Sequence, residues 1–248
     1  MIPLRVNLWS GPRNVSTALM YSFAQRADTR VVDEPLYAHY LRVSGASHPG
    51  RDEVLRSQDA DGERVVREVI LGACDREVLF CKQMAHHLVE LDRSFLARCA
   101  NVLLTRDPHD MLPSLERQLP EATLRDTGYA MLTELHEELR RIGQDPPVLD
   151  AGALIRDPRA VLGVLCERLG IRFDEAMLSW EPGPRPEDGV WARHWYEGVH
   201  RSSGFAPYRR RREPLSERSR ALLAECLPHY EPLRALAIGA RAPSRASS

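Results

Sequence analysis

Short apolar runs bounded by turn residues predict five β-strands along the chain. The strand candidates are residues 4–9, 29–33, 78–81, 101–105 and 147–149. Apolar residues at helical spacing predict helices between and after them, at 14–25, 53–73, 84–91, from about 110, 127–143, 158–169 and 215–227. Strands that alternate with helices favour parallel pairing through right-handed crossovers. The predicted class is therefore α/β, with a central, mostly parallel sheet of about five strands.

Periodicity is lost in one long segment, residues 180–214, which is rich in proline, glycine and aromatic residues. Loops of this length in compact domains are usually functional, so we expect this segment to cover an active site. Its run Arg209–Arg212 is typical of a solvated face. Its aromatic residues either line a pocket or anchor the loop on the core; they are Trp191, Trp195, Tyr196 and Phe205. We predict one domain over residues 1–238 and a disordered tail over 239–248.

Composition excludes several classes of protein. Hydrophobic residues make up 43% of the 248 residues and charged residues 28%, as in soluble globular proteins. A formal net charge of −1 argues against a general binder of nucleic acid or acidic membranes. No apolar stretch has the length of a membrane span, and the five widely spaced cysteines form no disulfide or zinc pattern. We expect a cytoplasmic protein without nucleic-acid or membrane partners.

The loop after the first predicted strand carries candidate chemistry, since ligands of parallel sheets bind at the carboxyl ends of strands. It leads into a helix N-terminus, whose unpaired N–H groups suit a phosphate or sulfate. Arg13 adds a full charge, and Ser16 and Thr17 add hydroxyl donors. The alternative is an ordinary loop in which the two hydroxyls only start the helix. The spacing fits neither a Walker A loop nor Gly-x-Gly-x-x-Gly, which disfavours Mg-ATP hydrolysis and a dinucleotide site.

A second candidate anion site follows the fourth predicted strand. Arg106 ends that strand, and Ser114 lies eight residues further on, near the start of the next helix. A guanidinium fork with a nearby serine hydroxyl could hold a second phosphate. The alternative is a surface ion pair of Arg106 with Asp107 and a solvated serine.

Taken together, the two loops resemble the sulfotransferases that use 3′-phosphoadenosine 5′-phosphosulfate (PAPS). Residues 12–17 are similar to the family's 5′-phosphosulfate loop, and residues 104–114 to its 3′-phosphate motif. Residues 150–170 and 202–205 resemble later segments of the family. The resemblance implies a three-layer α/β/α fold related to nucleotide kinases, with PAPS as co-substrate and no metal. The donor-binding residues that it implies are Arg13, Asn14, Val15, Ser16, Thr17, Arg106 and Ser114. Val15 stands where the family has glycine, and valine excludes the positive φ angles open to glycine.

Sulfuryl transfer to a hydroxyl also needs a group that removes a proton. Glu34, after the second strand, resembles the catalytic glutamate of carbohydrate and tyrosine sulfotransferases; the alternative is a structural carboxylate paired with Arg13 or Arg30. His86, after the third strand, resembles the base of the cytosolic small-molecule branch, although two extra residues separate it from Lys82. On a helix, His86 and His87 would diverge by ~100° and could not both face the site.

Lys82 is the only lysine among 34 basic residues. A compact ammonium is not interchangeable with a guanidinium fork next to a transferring group. We therefore expect Lys82 to contact the sulfate or its leaving oxygen.

The resulting hypothesis is a cytoplasmic enzyme that transfers a sulfuryl group from PAPS to a hydroxyl or amine of a small-molecule or carbohydrate acceptor. Loops 37–60, 119–130 and 180–210 are expected to select that acceptor. One alternative is a Mg-dependent nucleotide or small-molecule kinase in which Asp33 or Asp150 holds the ion. The other is a nucleotide-binding module without catalytic activity.

Overall fold

The computed structural model describes residues 2–205 and 215–239. These residues form a five-stranded sheet in the order β2-β3-β1-β4-β5, and every neighbouring pair is parallel. The strands are β1 Leu4–Ser10, β2 Thr29–Asp33, β3 Val78–Met84, β4 Ala100–Thr105 and β5 Val148–Asp150. The predicted α/β class and all five predicted strands are confirmed. The run Arg209–Arg212 and the tail from residue 240 lie outside the described residues.

Helices cover both faces of this sheet and its carboxyl edge. They are α1 Ser16–Ala24, α2 Tyr37–Ser44, α3 Arg51–Ser57, α4 Gly62–Val65, α5 Pro108–Glu116, α6 Leu124–Thr127, α7 Tyr129–Arg141, α8 Ala151–Arg156, α9 Pro158–Leu169, α10 Ala192–Trp195, α11 Glu197–His200 and α12 Glu217–Leu236. A π-helical turn, Val66–Ile70, continues α4, and short 3₁₀ helices occupy Ala85–His87, Arg93–Arg98 and Glu175–Leu178.

The three layers follow from strands that are apolar on both faces. Val6 and Leu8 of β1 face a cluster formed with α1, α8 and α9, whereas Trp9 faces a cluster formed with α4 and α7. Because all strands are parallel, their carboxyl ends meet at one edge of the sheet. The strand order places the end of β1 between the ends of β3 and β4, so the loops after these three strands converge.

Capping residues set several helix boundaries as the sequence indicates. The Asp157 side chain accepts a hydrogen bond from the Ala160 N–H at the start of α9, and Gly170 ends that helix at φ 70°. The helix predicted from about residue 110 begins earlier, at Pro108, because the Asp107 carboxylate accepts from the His109 N–H. The predicted helix over 53–73 is interrupted, and α4 restarts where the Asp61 side chain accepts from the Arg64 N–H.

Two predicted helices differ from the structure for reasons of packing. The helix predicted at 84–91 is wrong, since β3 continues to Met84 and only the single 3₁₀ turn Ala85–His87 follows. The last helix runs well beyond residue 227, to Leu236, although it contains two prolines. Buried Tyr230 and Leu233 hold this extension against the rest of the protein, which outweighs the missing backbone donors.

None of the helices in residues 2–205 and 215–239 is long and apolar enough to cross a bilayer. All five cysteines of the chain are free thiols.

Candidate active site

A cavity of about 310 Å³ opens at the carboxyl edge of the sheet. Its walls come from the loop after β1, the ends of β2 and β3, the loop after β4, and residues 191–205. Of the residues predicted from sequence to form the site, Ser114 alone does not line this cavity. Those that do are Arg13, Asn14, Val15, Ser16, Thr17, Glu34, Lys82, His86 and Arg106. The structure therefore brings the predicted donor loop and the predicted proton acceptors to one cavity.

The loop that enters α1 takes its positive φ at Arg13, which has φ 53°. Asn14 fixes the turn that follows, because its Oδ1 accepts from the Val15 N–H at 2.8 Å and its Nδ2 donates to the Leu104 carbonyl at 3.0 Å. Val15 has φ −89°, an angle that any L-residue adopts. Valine at this position therefore imposes no backbone strain, and the Asn14 side chain stabilises the turn.

The N-terminus of α1 lies at the cavity. No side chain in the described part of the protein caps this end, and its first turn carries no acidic residue. Ser16 and Thr17 are buried here and line the cavity. Such an uncapped helix end, with two hydroxyls beside it, can accept an anion.

Two arginines converge on this end of the cavity. An Arg106 guanidinium nitrogen donates to the Arg13 carbonyl at 2.6 Å, and Arg13 Nε donates to Ser114 Oγ at 2.8 Å. Burial lowers the pKa of Arg13, and the guanidinium groups of Arg106 and Arg117 lower it further. The two predicted phosphate motifs therefore meet at Arg13, where an anion would relieve the repulsion between cations. Ser114 uses its hydroxyl to orient Arg13.

The turn between α6 and α7 supports the loop from behind. A Cβ atom on Gly11 would lie 2.4 Å from the Thr127 carbonyl oxygen, a distance that atoms do not tolerate. A Cβ atom on Gly128 would lie 3.2 Å from Gly11 Cα and 3.9 Å from His86 Nδ1. The absence of side chains at both glycines thus lets the loop, the turn and His86 approach one another.

Replacing Gly11 by alanine should therefore destabilise the protein by about 1–3 kcal/mol, as overpacking does in other cores. Urea unfolding measures this change. Gly163→Ala is the matched control, because a Cβ on Gly163 in α9 meets nothing within 4 Å. Gly163→Ala should leave the stability unchanged or slightly higher. Equal unfolding free energies for the two variants would contradict the close packing of Gly11.

A buried charge cluster lies beneath the cavity, at the ends of β2 and β3. Lys82 is 1% exposed and is paired in register with Asp33 on the neighbouring strand. Its Nζ donates to Asp33 Oδ1 at 2.9 Å, to Glu34 Oε1 at 2.5 Å and to the Tyr196 hydroxyl at 2.6 Å. These three bonds use all the hydrogens of the ammonium group. These bonds direct the Lys82 donors at the protein, and the expectation that Lys82 contacts the sulfate or its leaving oxygen stays a prediction.

Glu34 occupies the boundary between this cluster and the cavity. It has φ 41°, and its N–H donates to the Lys82 carbonyl at 2.8 Å. Burial raises the pKa of the Glu34 carboxyl; Lys82 opposes this and Asp33 adds to it. The alternative pairing with Arg13 or Arg30 does not occur, because Arg13 binds Ser114 and Arg30 lies near Asp75. A buried carboxylate with a raised pKa that borders a cavity suits a general base.

Both histidines of the 3₁₀ turn line the cavity, which corrects the expectation that only one could face it. The difference arises because the turn is not a continuing α-helix; the two rings lie 4.7 Å apart and nearly perpendicular. Burial lowers the pKa of His86 to about 3 and that of His87 well below its ordinary value. Both imidazoles are therefore neutral at neutral pH. The Nδ1 atoms of both are buried and lack a hydrogen-bond partner among the described residues.

Several residues of the site could not be identified by sequence motifs. Asp33 and Tyr196 complete the charge cluster, with the Tyr196 hydroxyl donating to Asp33 Oδ2 at 2.7 Å. The ring of His87 stacks on Tyr37 at 4.9 Å, and His48 Nδ1 lies 2.9 Å from the Tyr37 hydroxyl. In the sequence, only the adjacent carboxylates Asp33 and Glu34 could have indicated this charge cluster. No local signal marks the ring residues, since Tyr37 lies in α2, His48 in the loop after α2 and His87 in the 3₁₀ turn after β3.

The aromatic residues of the cover segment, defined as residues 180–205, have both of the roles that the sequence left open. Trp191 Nε1 donates to the Tyr196 hydroxyl at 3.1 Å, and both side chains are buried as anchors. The residues that also line the cavity are Trp191, Trp195, Tyr196 and Phe205.

The chain belongs to a known family, since residues 4–237 match the family described as Sulfotransferase domain. Among curated proteins it is similar to two from Arabidopsis thaliana. Branched-chain-amino-acid aminotransferase-like protein 1 is 43% identical over 94% of this chain, and protein 2 of the same name is 40% identical over 92%. The chain spans 42% and 41% of the lengths of these relatives.

Solved sulfotransferase structures share the fold. The sulfotransferase domain of the Synechococcus PCC 7002 olefin synthase has a TM-score of 0.54, with 20% identity over 91% of this chain and 94% of its own. The sulfotransferase domain from the curacin biosynthetic pathway has a TM-score of 0.52, with 14% identity over 90% of this chain and 97% of its own. The sulfotransferase from Alicyclobacillus acidocaldarius has a TM-score of 0.54, with 13% identity over 95% of this chain and 96% of its own.

Proposed function

We propose that this sulfotransferase moves a sulfuryl group from PAPS to a hydroxyl or amine of a small-molecule or carbohydrate acceptor. The observation that carries the proposal is the convergence of Arg13, Arg106 and the uncapped N-terminus of α1 on a cavity that Glu34 also lines. We further propose that residues 1–238 act as one domain, supported by the family match over 4–237. Five free thiols support a reducing compartment, the cytoplasm.

The donor-binding roles follow from charge and position. When bound, PAPS supplies an activated sulfuryl group joined to its 5′-phosphate. Arg13, Ser16, Thr17 and the first-turn N–H groups of α1 hold the 5′ end and offset the negative charge that grows there. Arg106 holds the 3′-phosphate, and Ser114 orients Arg13 beside it. Burial and the neighbouring guanidinium groups of Arg106 and Arg117 lower the pKa of Arg13, and a ligand with several negative charges would relieve this repulsion.

The chemical step needs an acceptor hydroxyl placed in line with the breaking sulfur–oxygen bond. The new bond joins the acceptor oxygen to sulfur, the old bond to the 5′-phosphate breaks, and the acceptor proton goes to the Glu34 carboxylate. Glu34 suits this role better than His86, whose pKa of about 3 makes it a weak base. His86 and His87 instead line the cavity as neutral imidazoles beside the acceptor.

Isothermal titration with 3′,5′-adenosine bisphosphate and with AMP tests the donor site. Wild-type protein should bind the bisphosphate at least ~10-fold more tightly than AMP, because hydrogen bonds between charged groups contribute about 1.5–3 kcal/mol. Arg106→Ala should abolish this preference and leave the fold intact. Arg159→Ala, which removes an exposed arginine paired with Glu175, is the control and should keep the preference. Equal affinity of the wild type for both ligands would exclude the two-phosphate site.

The kinase alternative finds less support. The Asp33 oxygens bind Lys82 and Tyr196, and those of Asp150 accept from the Ala153 N–H and the Tyr230 hydroxyl. The oxygens of both proposed magnesium ligands therefore already have partners within the protein. An assay of ATP binding in the presence of magnesium decides between a kinase and a sulfotransferase. A module without catalytic activity would bind the bisphosphate and transfer no sulfate to any acceptor of a broad panel.

A further inference from the structure

Two carboxylates dock the cover segment onto the body of the protein. Asp33, at the end of β2, accepts from the Tyr196 hydroxyl at 2.7 Å and from the Gly189 N–H at 3.3 Å. Asp188, within the segment, accepts from the Tyr21 hydroxyl of α1 at 2.7 and 2.8 Å and lies 2.9 Å from His200. The first of these contacts shares its carboxylate with Lys82, so the segment is docked on the charge cluster that holds Glu34.

Tyr196 is the residue in which the segment and the charge cluster meet. Its buried hydroxyl accepts from Lys82 and from Trp191 and donates to Asp33. After it, Gly198, Val199, Ser202, Gly204 and Phe205 also line the cavity, and Val199 and Phe205 pack against the core cluster that includes α1. One hydroxyl therefore connects the proton-accepting end of the cavity with the wall of its donor end.

We propose that Tyr196 is a positioning residue, whose hydroxyl keeps Lys82 centred between Asp33 and Glu34 and at the same time holds the cover segment closed beside the donor. The proposal rests on the proposed sulfotransfer. Its physical basis is the geometry of the ammonium group, whose three hydrogens each have one acceptor. Without the Tyr196 hydroxyl, Asp33 loses a donor and competes more strongly for Lys82.

The consequence for Glu34 has a definite sign. As Lys82 shifts toward Asp33, the Glu34 carboxylate loses part of its opposite charge, and its pKa rises. The other groups around it cannot replace that charge. His87 Nε2 lies 4.0 Å from Glu34 Oε2 but burial keeps the ring neutral, and burial likewise keeps the Tyr37 hydroxyl protonated by raising its pKa. The pH at which Glu34 becomes a base should therefore move upward.

Tyr196→Phe tests this, since it keeps the ring and removes the hydroxyl alone. The full chain is studied by ¹³C NMR of its glutamate carboxyls, with the Glu34 signal assigned by its loss in Glu34→Gln. We expect the pKa of Glu34 to rise by about one unit. Hydrogen exchange should accelerate in residues 180–205, and the affinity for 3′,5′-adenosine bisphosphate should fall ~10-fold. Tyr230→Phe is the matched control, because it also removes a buried hydroxyl bound to a carboxylate, that of Asp150, and should change none of the three.

An unchanged Glu34 titration in a folded Tyr196→Phe protein would overturn the proposal. If that variant does not fold, Trp191→Phe removes the indole donor to the Tyr196 hydroxyl, together with part of a buried ring, and should give a smaller shift in the same direction; no shift would again overturn it. Failure of the proposed function is distinguishable, because wild-type protein would then not bind the bisphosphate. The NMR and exchange measurements would still decide the role of Tyr196.

Discussion

Glu34→Gln should lower kcat by about 10³-fold, within the range that general-base catalysis contributes. Glutamine keeps the size of the side chain and an oxygen that can accept from Lys82 Nζ, but its amide cannot take up the acceptor proton. The affinity for 3′,5′-adenosine bisphosphate should therefore stay at the wild-type value. The measurement is bisphosphate release from PAPS, with an acceptor found by screening hydroxyl compounds and amines.

His86→Asn is the comparison that identifies the base. It keeps a hydrogen-bonding side chain in the cavity and should reduce kcat far less than Glu34→Gln. The wild-type rate should rise with pH through the raised pKa of Glu34, because the base acts only when deprotonated, and this limb should be absent from Glu34→Gln. The reverse ranking, with His86→Asn inactive and Glu34→Gln near wild type, would assign the proton to the imidazole.

The position of the proposed donor end of the site was predictable from sequence because its determinants are local. A strand followed by a loop and a helix places Arg13, Ser16 and Thr17 within a few residues, and parallel strands place Arg106 at the same edge. The loop conformation was not predictable in the same way. Its left-handed residue is Arg13, and Val15 needs no glycine because the Asn14 side chain fixes the turn.

The acid–base end depends on contacts between residues far apart in the chain. Lys82 meets Tyr196 across 114 positions, and neither residue lies in a motif that names the other. The unusual single lysine lies at the cavity. It did not reveal which way the ammonium group points, because the acceptors that decide this come from β2 and from the cover segment. The 3₁₀ turn that brings both histidines to the cavity was likewise not predictable, because the apolar residues of 84–91 have helical spacing.

Lys82→Met should destabilise the protein by about 3–5 kcal/mol at pH 8, the cost of removing one partner from a buried ion pair. Asp33 and Glu34 are adjacent and are 4% and 7% exposed, so without the ammonium two carboxylates remain buried side by side. Although burial opposes the charge of Lys82, these carboxylates raise its pKa well above the ordinary value, so the ammonium is charged at this pH. Urea unfolding measures the loss, and Arg201→Met, which breaks an exposed pair with Glu197, should cost less than about 1 kcal/mol.

The same variant should recover stability as the pH falls. In the folded Lys82→Met protein, burial and the charge of Asp33 raise the pKa of Glu34, and the lowering effect of Lys82 is gone. Protons therefore bind more strongly to Glu34 in the folded state than in the unfolded chain, and the deficit should shrink from pH 8 to pH 5 as this carboxylate becomes neutral. Adding Asp33→Asn should restore part of the loss at pH 8, because it removes one of the two unpaired charges. A deficit that is equal at both pH values would show that lost packing, and not buried charge, accounts for the effect of Lys82→Met.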